Sequence, residues 1–157
     1  MIPELHGLAS ILNTTHQLFH RALEGITPAQ ALQRRDQANP ILWIAGHIVT
    51  VRADFLRSIG GEADIPWAKH FRRGGEVKNE SLWPAVSVMR AKWDEVHGAF
   101  MSRLDILTSK QLMATTDAPG LDKTLMGTIG LAALHDGYHV GQLAAARRLY
   151  GLDRIVG

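Results

Sequence analysis

Apolar residues recur at alternating steps of three and four in four separate segments of this chain. Leu5, Leu8, Leu12, Thr15, Phe19 and Ala22 make the first stripe, and Ile44, Ile48, Val51 and Phe55 the second. Leu82, Val86, Met89, Trp93, Val96, Phe100 and Leu104 or Leu107 make the third. The fourth holds Leu125, Ile129, Ala132, Leu143 and Ala146. This spacing lines one face of an α-helix. No segment carries a strand signal of comparable strength. Four such helices bury their stripes against one another, so the expected fold is all-α, a four-helix bundle with short connecting helices. At 157 residues, the whole chain (1–157) is expected to form a single domain with a real core.

Helix punctuation supports this layout. Asn39 suits an N-cap and Pro40 a first helical residue, so the second helix is expected from about Pro40 to Ile59, stopped by Gly60 and Gly61. Pro84 falls in the expected first turn of the third helix, where a missing N–H costs little. The fourth helix is expected from about Thr124 to Tyr150, ended by Gly151. Thr27-Pro28-Ala29-Gln30 and Thr108-Ser109-Lys110-Gln111 each fit a capping box, and each is expected to open a short connecting helix. The segment from Gly60 to Gly75 has no period, and a loop of that length in a small domain is often functional.

Composition narrows the chemistry. The chain has no cysteine, which removes disulfides, thiolate ligands and a cysteine nucleophile, so any thiol chemistry needs a thiol cosubstrate. The net charge is +2, and the basic residues are scattered apart from Lys69, His70, Arg72 and Arg73, which read as a solvated loop. Nucleic acid is therefore not an expected partner. No apolar run approaches membrane-spanning length and the N-terminus does not read as a signal peptide, so a cytoplasmic location is expected.

Histidines carry the functional signal. His135 and His139 stand four residues apart on the fourth helix, one turn apart on one face with Ala132, Gln142, Leu143 and Ala146. His47 shares a face with Ile44, Val51 and Phe55 on the second. Three inward imidazoles are costly unless their nitrogens are satisfied. A divalent metal satisfies them and leaves a coordination position open, while backbone carbonyls in the core are the alternative. His16 and His20 share the same spacing, but their stripe position reads as flank and surface. His97 could line a pocket or face solvent.

Asn39-Pro40-Ile41-Leu42-Trp43-Ile44-Ala45-Gly46-His47 resembles the second-helix signature of DinB-like, or YfiT-like, four-helix-bundle proteins. His135-Asp136-Gly137-Tyr138-His139-Val140-Gly141-Gln142 resembles their fourth-helix signature, and the two capping boxes match their layout. The resemblance spans nearly the whole chain, with its specific motifs in the second and fourth helices. It implies a three-histidine site on His47, His135 and His139 for one divalent metal ion, zinc or nickel foremost. It also implies thiol S-transferase or isomerase chemistry with a low-molecular-weight thiol cosubstrate in some members, and homodimers in many.

Asp136 lies between the ligand candidates and could support a ligand, act as a general base, or be an exposed charge, which its quarter-turn offset favours. Gln142 could donate to a ligand or substrate, or pack at a helix crossing. Gly137 and Gly141 flank His139 and hint at backbone crowding. Trp43, Trp67 and the 60–75 loop are candidates to contact substrate, with core packing the competing role for Trp43. The leading function is a metal-dependent thiol S-transferase acting on a small electrophile. The alternatives are a hydrolase using water at the metal and a non-catalytic metal-binding or sensing protein.

Overall fold

A computed structural model describes residues 1–34, 38–72, 74 and 80–157. Four long helices dominate: α1 (His6–Leu23), α3 (Ile41–Ser58), α4 (Val86–Asp105) and α6 (Leu125–Arg148). Two short ones lie between them, α2 (Pro28–Leu32) and α5 (Ser109–Leu112). Among the described residues there is no strand, only an isolated bridge between Thr115 and Thr124. The chain is the expected all-α four-helix bundle. Arg73 and Gly75, which close the expected basic cluster and loop, lie outside the described residues.

The long helices do not follow one another around the bundle. α6 packs on α1 and α3, and α4 packs on α3 and α1. Consecutive long helices α1 and α3 therefore stand on one diagonal, and α4 and α6 on the other. Crossing a diagonal takes a long connection, and residues 24–40 and 106–124 supply two. Each contains a capping box: the Thr27 hydroxyl accepts from Gln30 N–H and the Thr108 hydroxyl from Gln111 N–H, opening α2 and α5 as expected.

Three boundaries differ from expectation. α3 begins at Ile41 with Pro40 as its N-cap, and Asn39 makes no cap; it lines a cavity instead. α4 begins at Val86, so Pro84 precedes the helix, and Leu82 sits 56% exposed in a 3-10 turn rather than in the core. α6 ends at Arg148, and Gly151 takes a left-handed φ of 73° beyond it. Gly60 does the same after α3 with φ 82°, and Gly61 N–H returns to Leu56 O.

Between the helices Leu12, Phe19, Ile48, Leu56, Trp93, Phe100, Ile129 and Leu143 are fully buried. α3 is buried on nearly every side from Ile41 to Thr50, because α4, α6 and the turn ending at Phe71 all cover it. It also holds a charge inside the core. Arg52 is fully buried, while its neighbour Val51, expected inside, is half-buried.

Candidate metal centre

The inward stripe of α6 is Ile129, Ala132, Ala133, Asp136, Val140 and Leu143, all buried. Asp136 stands at its centre, so the expected exposure of Asp136 is corrected: its accessibility is zero. His135 and His139 flank this stripe, turned toward α3, and are half-buried. His47 comes from α3 to meet them. The candidate ligand atoms of the three residues lie within 4.8 Å of one another, and the Nε2 atoms of His47 and His135 are 3.3 Å apart.

Each ring has an acceptor behind it. His47 Nδ1 donates to Phe71 O at 2.6 Å, His139 Nδ1 to Gln142 Oε1 at 2.7 Å, and His135 Nδ1 faces Asp136 Oδ1 at a longer 3.4 Å. A carbonyl or carboxylate oxygen can only accept, so it holds the proton on Nδ1 and leaves the Nε2 lone pair bare. Two ring nitrogens 3.3 Å apart need a proton or a metal ion between them. Two nitrogens each about 2.0–2.1 Å from a tetrahedral zinc stand about 3.3–3.4 Å apart. The residues present fit a divalent metal on this ground.

Burial pushes His47 below the ordinary imidazole pKa, opposed by its bond to the Phe71 carbonyl and aided by His135. Burial also pushes His139 down, to about 4, against the bond to Gln142 and with help from His135 and His47. Both rings are neutral at pH 7, the form that binds metal.

Asp136 is held from behind by Arg52, also fully buried. Arg52 Nε donates to Asp136 Oδ2 at 2.6 Å, and Nη2 bonds the same oxygen. The guanidinium carbon lies 4.8 Å from the ring centroids of Trp93 and Phe100, and Nη1 is 3.5 Å from His97 Nδ1. Asp136 thus pairs with Arg52 on one oxygen and faces His135 with the other, buried and engaged rather than exposed. Arg52 was missed because periodicity assigned the face of α3 to its neighbours. The available signal was a single cation inside the apolar run Ile41–Phe55, matched by a single anion in the stripe of α6.

Gln142 accepts from His139 and donates to the Tyr138 hydroxyl at 3.1 Å. Trp43 stacks on His47, with centroids 5.0 Å apart and planes 8° from parallel. A cavity of about 800 Å³ opens beside the three histidines, lined among others by Asn39, Trp43, Asp54, Phe55, Pro119 and Tyr138. Trp67 does not line it. The expected crowding around His139 is absent: a Cβ on Gly141 meets nothing within 4 Å, and one on Gly137 only Thr15 at 3.9 Å. Crowding occurs instead at Gly46, where a Cβ would stand 2.5 Å from the Phe71 ring. Gly46→Ala is therefore expected to push Phe71 away, cost about 1–3 kcal/mol and loosen His47 by moving its acceptor. Thermal melts with and without zinc check this; an unchanged melting temperature in both would refute the close approach.

The flank and surface assignment of His16 and His20 also needs correction. Both are half-buried against Asp94 of α4, and His16 stacks on His97 with centroids 4.0 Å apart. His97 is buried rather than solvated.

The family model of the DinB superfamily matches residues 11–143. Among solved structures, the chain is similar to YfiT from Bacillus subtilis, described as a probable metal-dependent hydrolase with an unusual four-helix bundle topology. The TM-score is 0.73 at 19% identity, covering 98% of this chain and 91% of YfiT. A search of curated proteins returns no match. Among the described residues, no helix is long and apolar enough to cross a membrane.

Proposed function

The chain belongs to the DinB superfamily, and from that premise we propose a metal-dependent enzyme that joins a low-molecular-weight thiol to a small electrophile. His47, His135 and His139 would hold one divalent ion, with zinc and nickel the best match to three imidazoles. The carrying observation is that the candidate ligand atoms of the three rings lie within 4.8 Å of one another, with an oxygen acceptor near Nδ1 of each. The ion supplies Lewis acidity, which acidifies a thiol or a water toward neutral pH.

The chain's own groups do the rest. Trp43 covers one side of His47, and Phe55, Val51 and Pro119 offer an apolar wall for the electrophile. Asn39, Ser58 and the Tyr138 hydroxyl offer polar contacts around it. A cavity of about 800 Å³ has room for two small reactants. Both carboxylates near the site are already engaged. Asp136 is buried on Arg52, and Asp54 is paired with Arg57 and bidentately with Arg72. Either nucleophile, thiol or water, would therefore rely on the ion rather than on a carboxylate for its deprotonation.

Hydrolysis is the second reading, favoured by the likeness to YfiT. The test is turnover of a panel of small electrophiles and esters by tag-free, metal-loaded protein, with and without added thiol. Thiol-dependent product, lowered at least about 100-fold in His135→Ala, is the expected result. Thiol-independent ester cleavage would move the assignment to hydrolysis. Stoichiometric metal with no turnover would leave a metal-binding or sensing protein.

A further inference from the structure

We propose that the chain carries a second, weaker divalent-cation site, formed by His16, His20 and Asp94 between α1 and α4. His16 and His20 stand one turn apart on α1, and Asp94 reaches across from α4. His20 Nε2 lies 2.6 Å and His16 Nε2 3.2 Å from the same Asp94 Oδ1, and the candidate ligand atoms lie within 4.8 Å of one another. Two imidazoles and a carboxylate suit a borderline ion such as Zn²⁺ or Ni²⁺. The Asp94 side chain is 56% exposed, so an ion can enter from solvent and the carboxylate can rotate to meet it.

The surroundings set the strength of the site. In the first centre an acceptor stands behind each Nδ1. Here Arg90 Nε donates to His20 Nδ1 at 3.0 Å, which fixes the ring proton on Nε2, against Asp94. His16 Nδ1 is buried with no hydrogen-bond partner among the described residues, which leaves the metal-binding tautomer without an acceptor. An ion must displace the His20 proton and turn Arg90 away. Asp94 lies one turn beyond Arg90 on α4, so its second oxygen offers that guanidinium a new partner. The cost makes this site the weaker of the two, and it makes Arg90 a competitor of the ion.

Equilibrium dialysis of the tag-free full chain against Zn²⁺, repeated with Ni²⁺, tests the assignment. Two equivalents are expected, with dissociation constants at least about tenfold apart, on the scale of a mis-set outer shell. Asp94→Asn and His20→Gln should each abolish the weaker equivalent and keep the tighter one, while His135→Ala should do the reverse. Arg90→Met should tighten the weaker equivalent about three- to tenfold by removing the competing donor. Circular dichroism checks that each variant keeps its helices. Saturation at one equivalent that His135→Ala abolishes and Asp94→Asn does not would overturn this proposal and leave the first centre standing. Two equivalents that both survive Asp94→Asn would overturn it as well. One equivalent that survives His135→Ala and is lost in Asp94→Asn would support this site and reject the first. No binding by either ion would reject both.

Discussion

Asp136→Ala is expected to lower the unfolding free energy of the metal-free protein by about 3–5 kcal/mol, the cost of stripping one partner from a buried ion pair. Arg52 and Asp136 are both fully buried, and the guanidinium lies against the rings of Trp93 and Phe100. Without the carboxylate, a permanent positive charge remains in the core with no counter-charge, since Arg is effectively always protonated. A domain of this size has about 5–15 kcal/mol in total, so the loss is a large fraction of it. Arg52→Met leaves a different problem. The abandoned carboxyl can take a proton and become neutral, so the deficit of that variant should shrink as the pH is lowered, whereas the deficit of Asp136→Ala should not. Denaturant titrations of both variants at neutral and mildly acid pH measure this. A loss below about 1 kcal/mol in Asp136→Ala, the scale of an exposed pair, would mean that something other than Asp136 neutralises Arg52. The pair also reaches the candidate metal centre through His135. Asp136→Asn keeps the size but not the charge, and zinc affinity should fall about 10–100-fold.

The same pair marks the boundary of what the amino-acid sequence reveals. The four helices, both capping boxes and the three histidines were legible, because each rests on spacing along one helix or on a family motif. Asp136 was not. A charged residue next to a histidine looks solvated when its partner sits on another helix, and only packing shows that Arg52 lies opposite. Reading Asp136 as outside draws the inward face of α6 toward His135 and His139, while Ile129, Ala132 and Leu143 belong to both the expected and the observed stripe. Phe71 was illegible for a related reason. It contributes a carbonyl, and no side-chain pattern records which backbone oxygen will stand behind His47. The His16–His20 pair was misjudged because the apolar stripe of α1 passes through Thr15 and Phe19, while Asp94, His97 and Trp93 of α4 extend the covered surface beyond it.

Metal-free protein is expected to lose stability steeply between pH 6.5 and pH 4. His97 and His139 are each pushed down to about 4 in the fold, mainly by burial. Around His97 stand the stacked His16 ring and Arg52, which lower it further, and Asp136 and Asp94, which oppose them. In the unfolded chain both rings titrate near the ordinary value of about 6.5. Above that pH both states are neutral and the stability is fully present. Between 6.5 and 4 the unfolded chain takes up protons that the fold refuses, so the balance shifts toward unfolding. Below 4 both states are protonated and the loss levels off. Solvent screening at these partly covered rings keeps each contribution below its full shift, on the order of 1–2 kcal/mol. His47 and His16, also lowered by burial, act in the same direction. Urea midpoints in a chelator, measured from pH 7.5 to pH 4.5, give the slope. His139→Ala should flatten part of it, because that variant no longer has the ring to protonate. With zinc bound the fall should be steeper, since protons then compete with the ion for the same nitrogens. A midpoint that stays constant down to pH 5 would show that these rings are protonated as easily inside the fold as outside it. The neutral, inward-facing lone pairs assigned to the first centre would then be wrong.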